Sequence, residues 1–331
     1  MAVYTQLGAE ALAAIIARFD VGPLVSAKGI AEGVSNSNWL IETGGAAGPE
    51  KGSGGARFIL TVYEARTEVA DLPFFLGLLD HLAARACPVP RTIHDREGEA
   101  FRFHDGKALA LIEFLPGISV SAPTVGQARA VGAALAQVHF AAADFPGRRA
   151  NTLGLAGWFD LAKACGAGLA AIDRSLAGKV DATLARLDRE WPRDLPMSVI
   201  HADLFPDNVL MLGDRVTGLI DFYFACHDIT AYDLAVTHAA WCFGHDGLAF
   251  DAALSEALLA GYEGVRPLRD AERAALPVLA QGAAMRFLMT RAYDWMNTPA
   301  DALVTRKDPL AFARRLDFYA DPANAGLFER H

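Results

Sequence analysis

The sequence predicts an α+β chain of two lobes: a small antiparallel β lobe with one helix over residues 1–115 and a larger, mostly helical lobe over residues 116–331. Three observations predict it. Strand-like segments rich in Ile, Leu, Val, Phe and Thr crowd the first third, with a single amphipathic helix among them. Apolar positions at helical spacing dominate from Thr124 onward. A chain of 331 residues is long enough for two lobes, each with a core of its own.

Ala9 to Phe19 carries apolar side chains at helical spacing, and Asp20-Val-Gly-Pro23 ends that helix. Leu24 to Ile30 and Val34 to Glu42 are strands flanking Ala31-Glu-Gly33. The second carries Ser35, Asn36, Ser37 and Asn38 in an order unlike an alternating strand; either something other than packing selects them, or they form a polar hairpin tip of Asx and Ser turns. Thr43 to Ala56, Gly-rich and containing Pro49, is a flexible surface loop. Arg57 to Glu64 is a strand. Asp71 to Arg85 is an amphipathic helix with Pro73 tolerated in its first turn, and Glu68 or Asp71 at its start either partners the helix dipole or faces the cleft. Thr92 to His94 and Ala100 to Phe103 add two antiparallel strands, and the apolar strand from Lys107 breaks at Pro116-Gly117.

The second lobe opens with a long helix from Thr124 to Ala143, in which His139 is a packed or capping histidine. Asp144 to Leu155 is a loop whose Arg148 and Arg149 are either solvated or turned to an anionic ligand. Trp158 to Arg189, Leu234 to Trp241 and Asp251 to Tyr319 are helical by periodicity.

The chemistry concentrates between Val199 and Cys226. Asn208 follows Asp203 by five positions, the offset of the catalytic-loop Asp and metal-holding Asn in the pattern His-x-Asp-x-x-x-x-Asn. Val209-Leu-Met-Leu212 and Val216-Thr-Gly-Leu-Ile220, joined at Gly213-Asp214, form a hairpin whose ends bring Asn208 close to Asp221. A phosphoryl group carries dense negative charge, so its transfer needs a carboxylate that orients the attacking hydroxyl and oxygen ligands for a hard cation. Asp203 suits the first task, Asn208 and Asp221 the second. Taken alone, Asp-x-x-x-x-Asn arises by chance, and Asp before a turn serves as a cap.

His201 to Leu210 and Ile220 to Cys226 resemble the aminoglycoside-phosphotransferase-like small-molecule kinases of protein-kinase-like fold, and within them the bacterial homoserine kinases of that fold. Gly33-Val-Ser-Asn-Ser-Asn38 also resembles that group, and the resemblance runs over most of the chain. It implies transfer of the γ-phosphoryl of ATP, with Mg2+, to the hydroxyl of L-homoserine, giving O-phospho-L-homoserine for threonine synthesis. It further implies a loop over the phosphates at Ser35, Asn36, Ser37 and Asn38, backbone contacts to adenine near Glu113 and Leu115, and Asp233 bracing the catalytic loop unless it is a plain cap.

Three departures bear on that expectation. Thr61 stands where kinases carry the lysine that grips phosphates, leaving Lys28, Lys51 or Arg57 as substitutes, and it keeps a non-catalytic nucleotide-binding module open as an alternative. Ala202 replaces the Arg of His-Arg-Asp, and Tyr223 the Gly of Asp-Phe-Gly. Only eight residues separate Phe224 from Asp233, too few for a peptide-docking activation segment, so the acceptor is a small molecule. An amino acid would take an Arg for its carboxylate and a carboxylate or carbonyls for its ammonium; Asp207, Tyr223, Trp241 and Arg291 are the candidates, with helix packing the alternative for the Arg and Trp. An aminoglycoside, choline, methylthioribose or a fructosamine remains the rival acceptor.

With 30 Lys and Arg against 39 Asp and Glu, the formal charge of −9 supports neither a nucleic-acid partner nor an anionic membrane surface. Cys87, Cys165, Cys226 and Cys242 are scattered without Cys-x-x-Cys, which predicts reduced thiols in a cytoplasmic protein and no zinc site. No export signal or membrane span is visible, and oligomeric state is not encoded legibly.

Overall fold

The computed structural model describes residues 5–30, 36–45, 55–64, 67–298 and 306–329. Ser35, Lys51 and most of the Gly-rich stretch lie outside them. The chain divides into two compact units, Met1–Pro116 and Gly117–His331.

The first unit holds α1 (Ala9–Ile16), β1 (Leu24–Ile30), β2 (Ser37–Thr43), β3 (Arg57–Val62), α2 (Leu72–Ala83), β4 (Thr92–Ile93), β5 (Arg102–His104) and β6 (Lys107–Glu113). The strands form one antiparallel sheet ordered β1-β2-β3-β6-β4, with β5 also pairing β6. Alternation explains the register: Trp39 and Ile41 in β2 pair with Leu60 and Phe58 in β3. Trp39, Ile41, Leu60, Val62, Leu109 and Leu111 form one apolar face, closed by Leu12, Ile15, Ile16 and Phe19 around α1. The helix expected to reach Phe19 stops at Ile16, because Phe19 leaves it to bridge Asp95. Pro73 sits in the first turn of α2, where no intrahelical N–H is needed.

The second unit holds α3 (Val125–Ala141), α4 (Leu155–Cys165), α5 (Gly168–Ile172), α6 (Leu176–Glu190), β7 (Met197–Ile200), β8 (Val209–Leu212), β9 (Arg215–Leu219), β10 (Cys226–Ile229), α7 (Thr230–Trp241), α8 (Ala252–Glu263), α9 (Asp270–Asn297) and α10 (Leu310–Ala320). Thr124 opens α3 with a full capping box against Gln127. The helical region expected over Trp158 to Arg189 is broken into three, at Gly166 with φ 47° and at the extended Asp173. Helices α3 and α8 pack backbone to backbone: a Cβ on Gly132 would meet Leu258 O, and one on Gly261 would meet Arg129 O. Every residue of α7 is buried, so its polar side chains must find partners inside the protein. The four cysteines are buried, and none is in a disulfide. Among the described residues no helix is long and apolar enough to cross a membrane.

Candidate active site

Strand β7 leads into the segment that carries Asp203 and pairs antiparallel with β10, which follows Asp221, while β8 and β9 form the hairpin expected between Asn208 and Asp221. Val209 pairs with Leu219, and Ile220 N–H donates to Asn208 O at 3.0 Å, which sets Asp221 beside Asn208. Gly213 makes the turn with φ 61°.

Two non-glycine residues adopt the left-handed region here, Ala202 with φ 65° and Asp221 with φ 64°. Such a conformation costs about 1 kcal/mol or more and persists only where the surroundings over-determine it. They do. Asp233, in α7, accepts from His201 N–H and Ala202 N–H at 2.7 Å each, and His139 Nε2 donates to the same carboxylate at 2.9 Å. Asp233 thus braces the segment that leads to Asp203 by hydrogen bonds, as expected. His139, expected to be a packed histidine, is buried and also holds Asp233.

Asn208 Nδ2 donates to Asp203 O at 2.8 Å and to its carboxylate at 3.3 Å, so the amide locks the Asp203 loop and leaves its carbonyl oxygen as an acceptor. Asp203 N–H donates to His201 Nδ1 at 3.2 Å, which makes Nε2 the protonated nitrogen; it donates to Ile220 O at 3.0 Å. One neutral imidazole therefore links the backbone of Asp203 to the residue before Asp221. Burial pushes the His201 pKa down, in keeping with that tautomer.

Asp203 keeps some contact with solvent and Asp221 more, yet both stand amid enough protein to lose hydration. Burial pushes Asp203 up to about 7, with Arg286 and Lys307 opposing and Asp221 and Asp207 adding to the rise. Burial and the Asp207 charge push Asp221 up to about 6. Such values suit a general base, and equally a pair of carboxylates that wants a cation. Among the described residues no three His, Cys, Asp or Glu side chains form a self-sufficient metal cluster. One carboxylate and one amide oxygen fit magnesium nonetheless, since that ion keeps waters and completes its octahedron on substrate phosphates.

The candidates for the acceptor fall in different places. Asp207 is exposed, with Lys307 at 3.6 Å, and Ser119 Oγ holds its backbone carbonyl at 3.0 Å. Tyr223 lies half-buried in the short turn after Asp221. Arg291 donates to Asp308 O at 3.2 Å and stacks on Phe312; burial lowers its pKa to about 10 against the opposing charges of Asp203, Asp308 and Asp207. Trp241, a candidate for the acceptor with helix packing as the alternative, is buried, and its indole N–H donates to Leu204 O at 2.9 Å, because an indole N–H in a core takes a nearby carbonyl. It supports the catalytic loop from behind. Lys307 was not legible in advance: it follows Arg306 in a stretch without a motif, and only the fold brings it to Asp207.

In the first unit Asn36 and Ser37 are buried and committed within it. Asn36 accepts from Glu64 N–H at 3.2 Å and Thr67 Oγ1 at 3.1 Å, and Ser37 Oγ donates to Glu64 at 2.7 Å. Thr61 Oγ1 donates to Asn38 at 2.9 Å, so the missing lysine is replaced by a neutral pair. Of the substitutes considered for it, Lys28 is exposed on β1 and Arg57 lies over the Phe114 ring at 4.4 Å. The Glu113 side chain pairs with Arg91 at 3.2 Å, and Glu113 N–H donates to Arg91 O. Among the described residues nothing hydrogen-bonds the backbone of Leu115.

Residues 26–268 match the model of the phosphotransferase enzyme family. The chain is 50% identical over 330 residues to a homoserine kinase of Gluconacetobacter diazotrophicus, covering 99% of each. It is 48% identical to the homoserine kinase of Methylobacterium radiotolerans, covering 100% of this chain and 99% of the relative. Its fold is like that of an amicoumacin kinase, with TM-score 0.69 at 14% identity over 95% of this chain and 94% of the other. It is also like that of a microcompartment-associated aminopropanol kinase, with TM-score 0.64 at 18% identity over 98% and 97%. With an α+β kinase-like fold and a family match over most of its length, the chain belongs to the phosphotransferase enzyme family.

Proposed function

We propose that this protein is an ATP-dependent homoserine kinase that transfers the γ-phosphoryl of ATP to the hydroxyl of L-homoserine, giving O-phospho-L-homoserine, a step of threonine synthesis. Near-half identity from end to end with relatives named homoserine kinase is the observation that carries the acceptor. Asp203 orients the acceptor hydroxyl and takes its proton as the oxygen attacks. Its raised pKa keeps it a usable base near neutrality. Asn208 and Asp221 hold Mg2+, which when bound neutralises charge on the phosphates. In the first unit, which we assign to covering the nucleotide, the unpartnered backbone of Leu115 offers a donor and an acceptor to adenine. Asn38, with the backbone of its run, serves the phosphates. In the second, Asp207 suits the acceptor ammonium, and Lys307 with Arg291 its carboxylate.

The test is ADP release, measured by coupled assay, across a panel of L-homoserine, choline, an aminoglycoside, methylthioribose and a fructosamine. Turnover with homoserine well above the ATP-only background is expected, falling on the order of a thousandfold or more in Asp203→Ala. No turnover with homoserine alongside turnover of another alcohol would replace the acceptor. Activity unchanged in Asp203→Ala would remove the phosphotransfer reading.

A further inference from the structure

Ala202 stands where switched kinases carry an arginine, yet a guanidinium still reaches its peptide. It comes from α9. Arg286 is only 2% exposed, and its Nη1 donates to Ala202 O. Its guanidinium lies over the rings of Phe287 at 4.8 Å and Phe224 at 5.5 Å. Arg286 Nε has no hydrogen-bond partner, and none of the ion pairs among the described residues includes this arginine. Tyr232, fully buried, turns its hydroxyl toward the same group.

A guanidinium is charged throughout the physiological range, and burying one with no ion-pair partner in contact is costly, even though its charge also reaches the Asp203 carboxylate. Leucine or methionine would fill the same space in this Ala-rich helix without that cost. The contacts show what the charge accomplishes. The Ala202 N–H is held by Asp233 at 2.7 Å and its C=O by Arg286, so the left-handed residue just before Asp203 is gripped on both sides. The same guanidinium packs on Phe224, in the short turn that follows the left-handed Asp221.

Building on the phosphotransfer reading above, we propose that Arg286 is a positioning residue: by joining the Ala202 carbonyl to the Phe224 ring, it fixes the Asp203 segment and the Asp221 segment relative to each other. In-line transfer depends on that spacing, because base and metal ligand must address one phosphoryl group together. Lysine in its place reaches the carbonyl but cannot lie flat on a ring, so it keeps only part of the link.

The experiment is steady-state kinetics for both substrates in Arg286→Met, Arg286→Lys and Phe224→Leu, with thermal melts to establish folding and Asp203→Ala alongside. Arg286→Met is expected to lose on the order of 100-fold in kcat while both KM values stay within about twofold. Arg286→Lys and Phe224→Leu are expected between it and the parent protein. A folded Arg286→Met with the parent kcat, or one in which only KM changes, overturns the inference. If Arg286→Met does not fold, the other two decide, and parent kcat in both overturns it. Where the parent protein turns over, Asp203→Ala does not and Arg286→Met is unimpaired, this inference alone fails; a parent protein without turnover on any acceptor overturns the phosphotransfer reading and this inference with it.

Discussion

Glu64, just after β3, and Asp233, in α7, both gather several donors, one in each unit of the molecule. Glu64 takes Thr5 Oγ1 at 2.6 Å, Ser37 Oγ at 2.7 Å and Lys107 Nζ at 2.5 Å, all side chains and one of them a cation. Asp233 takes two backbone N–H groups and the His139 imidazole in full burial. Burial alone would raise either pKa, but the donors outweigh it and leave both lowered. The difference lies in what each carboxylate moves if it is lost. Around Glu64 the donors are side chains that can rotate, the Lys107 amine to water, whereas around Asp233 the donors are peptides of the segment that carries Asp203.

The sharpest way to break that comparison is to remove each carboxylate. Asp233→Ala leaves two peptide N–H groups and an imidazole unpaired in the core, and it is expected to cost about 4 kcal/mol in urea unfolding and on the order of 100-fold in kcat. Glu64→Gln keeps an acceptor and loses an ion pair whose lysine is partly exposed, so about 1 kcal/mol and little change in kcat are expected. Equal losses from the two substitutions would show that the donors of Glu64 are as rigid as peptides.

Protonation sharpens the comparison with a smaller effect. Glu64 and Asp233 have lowered pKa values, so what they contribute is present above the unfolded carboxylate range and is lost as pH falls through their folded values. Asp203 and Asp221 run the other way. Their pKa values are raised to about 7 and about 6, so their contribution is full below the unfolded value near pH 4 and is lost as pH rises through 6 and 7. The Tm of metal-free protein is therefore expected to decline over that window. Magnesium, which favours both ionised forms, is expected to raise Tm more near about pH 8 than near about pH 5. An equal magnesium effect at the two pH values would mean that both carboxyls are already ionised without the ion.

How much of this was legible in the sequence depended on whether local pattern or distant packing decides. The hairpin from Val209 to Leu219 and the approach of Asn208 to Asp221 were legible because a Gly-Asp turn between apolar strands fixes register locally. The bracing role of Asp233 was legible only through resemblance, since a lone aspartate at a helix start looks like a cap. His139, Arg286 and Lys307 were not assigned to the site, because they meet it from α3, α9 and the segment before α10, through contacts to Asp233, Ala202 and Asp207 that lie 94, 84 and 100 (307 − 207) residues away in sequence. For Trp241 the choice between acceptor contact and helix packing stayed open for the same reason: helical spacing does not say which carbonyl the indole finds. The polar run at Asn36 and Ser37 was legible as exceptional, but its partner Glu64 lies one strand away, and that pairing decides what the side chains do.

The smallest expected effect asks how far the rigidity around Asp233 extends. The Tyr262 hydroxyl bonds His139 Nδ1 at 2.8 Å and accepts from Arg266 at 3.2 Å, and Arg266 in turn pairs with buried Glu272 at 2.7 Å. Tyr262→Phe deletes that hydroxyl while leaving His139 on Asp233 and Asp233 on both peptides. A cost of about 1 kcal/mol with kcat nearly unchanged is expected, because each hydrogen bond outward from the loop fixes a side chain and no longer a backbone. A kcat for Tyr262→Phe as low as that of Asp233→Ala would mean that the whole line from Glu272 inward acts as one unit. The contrast with Glu64 would then lie in the length of the network and not in the kind of donor.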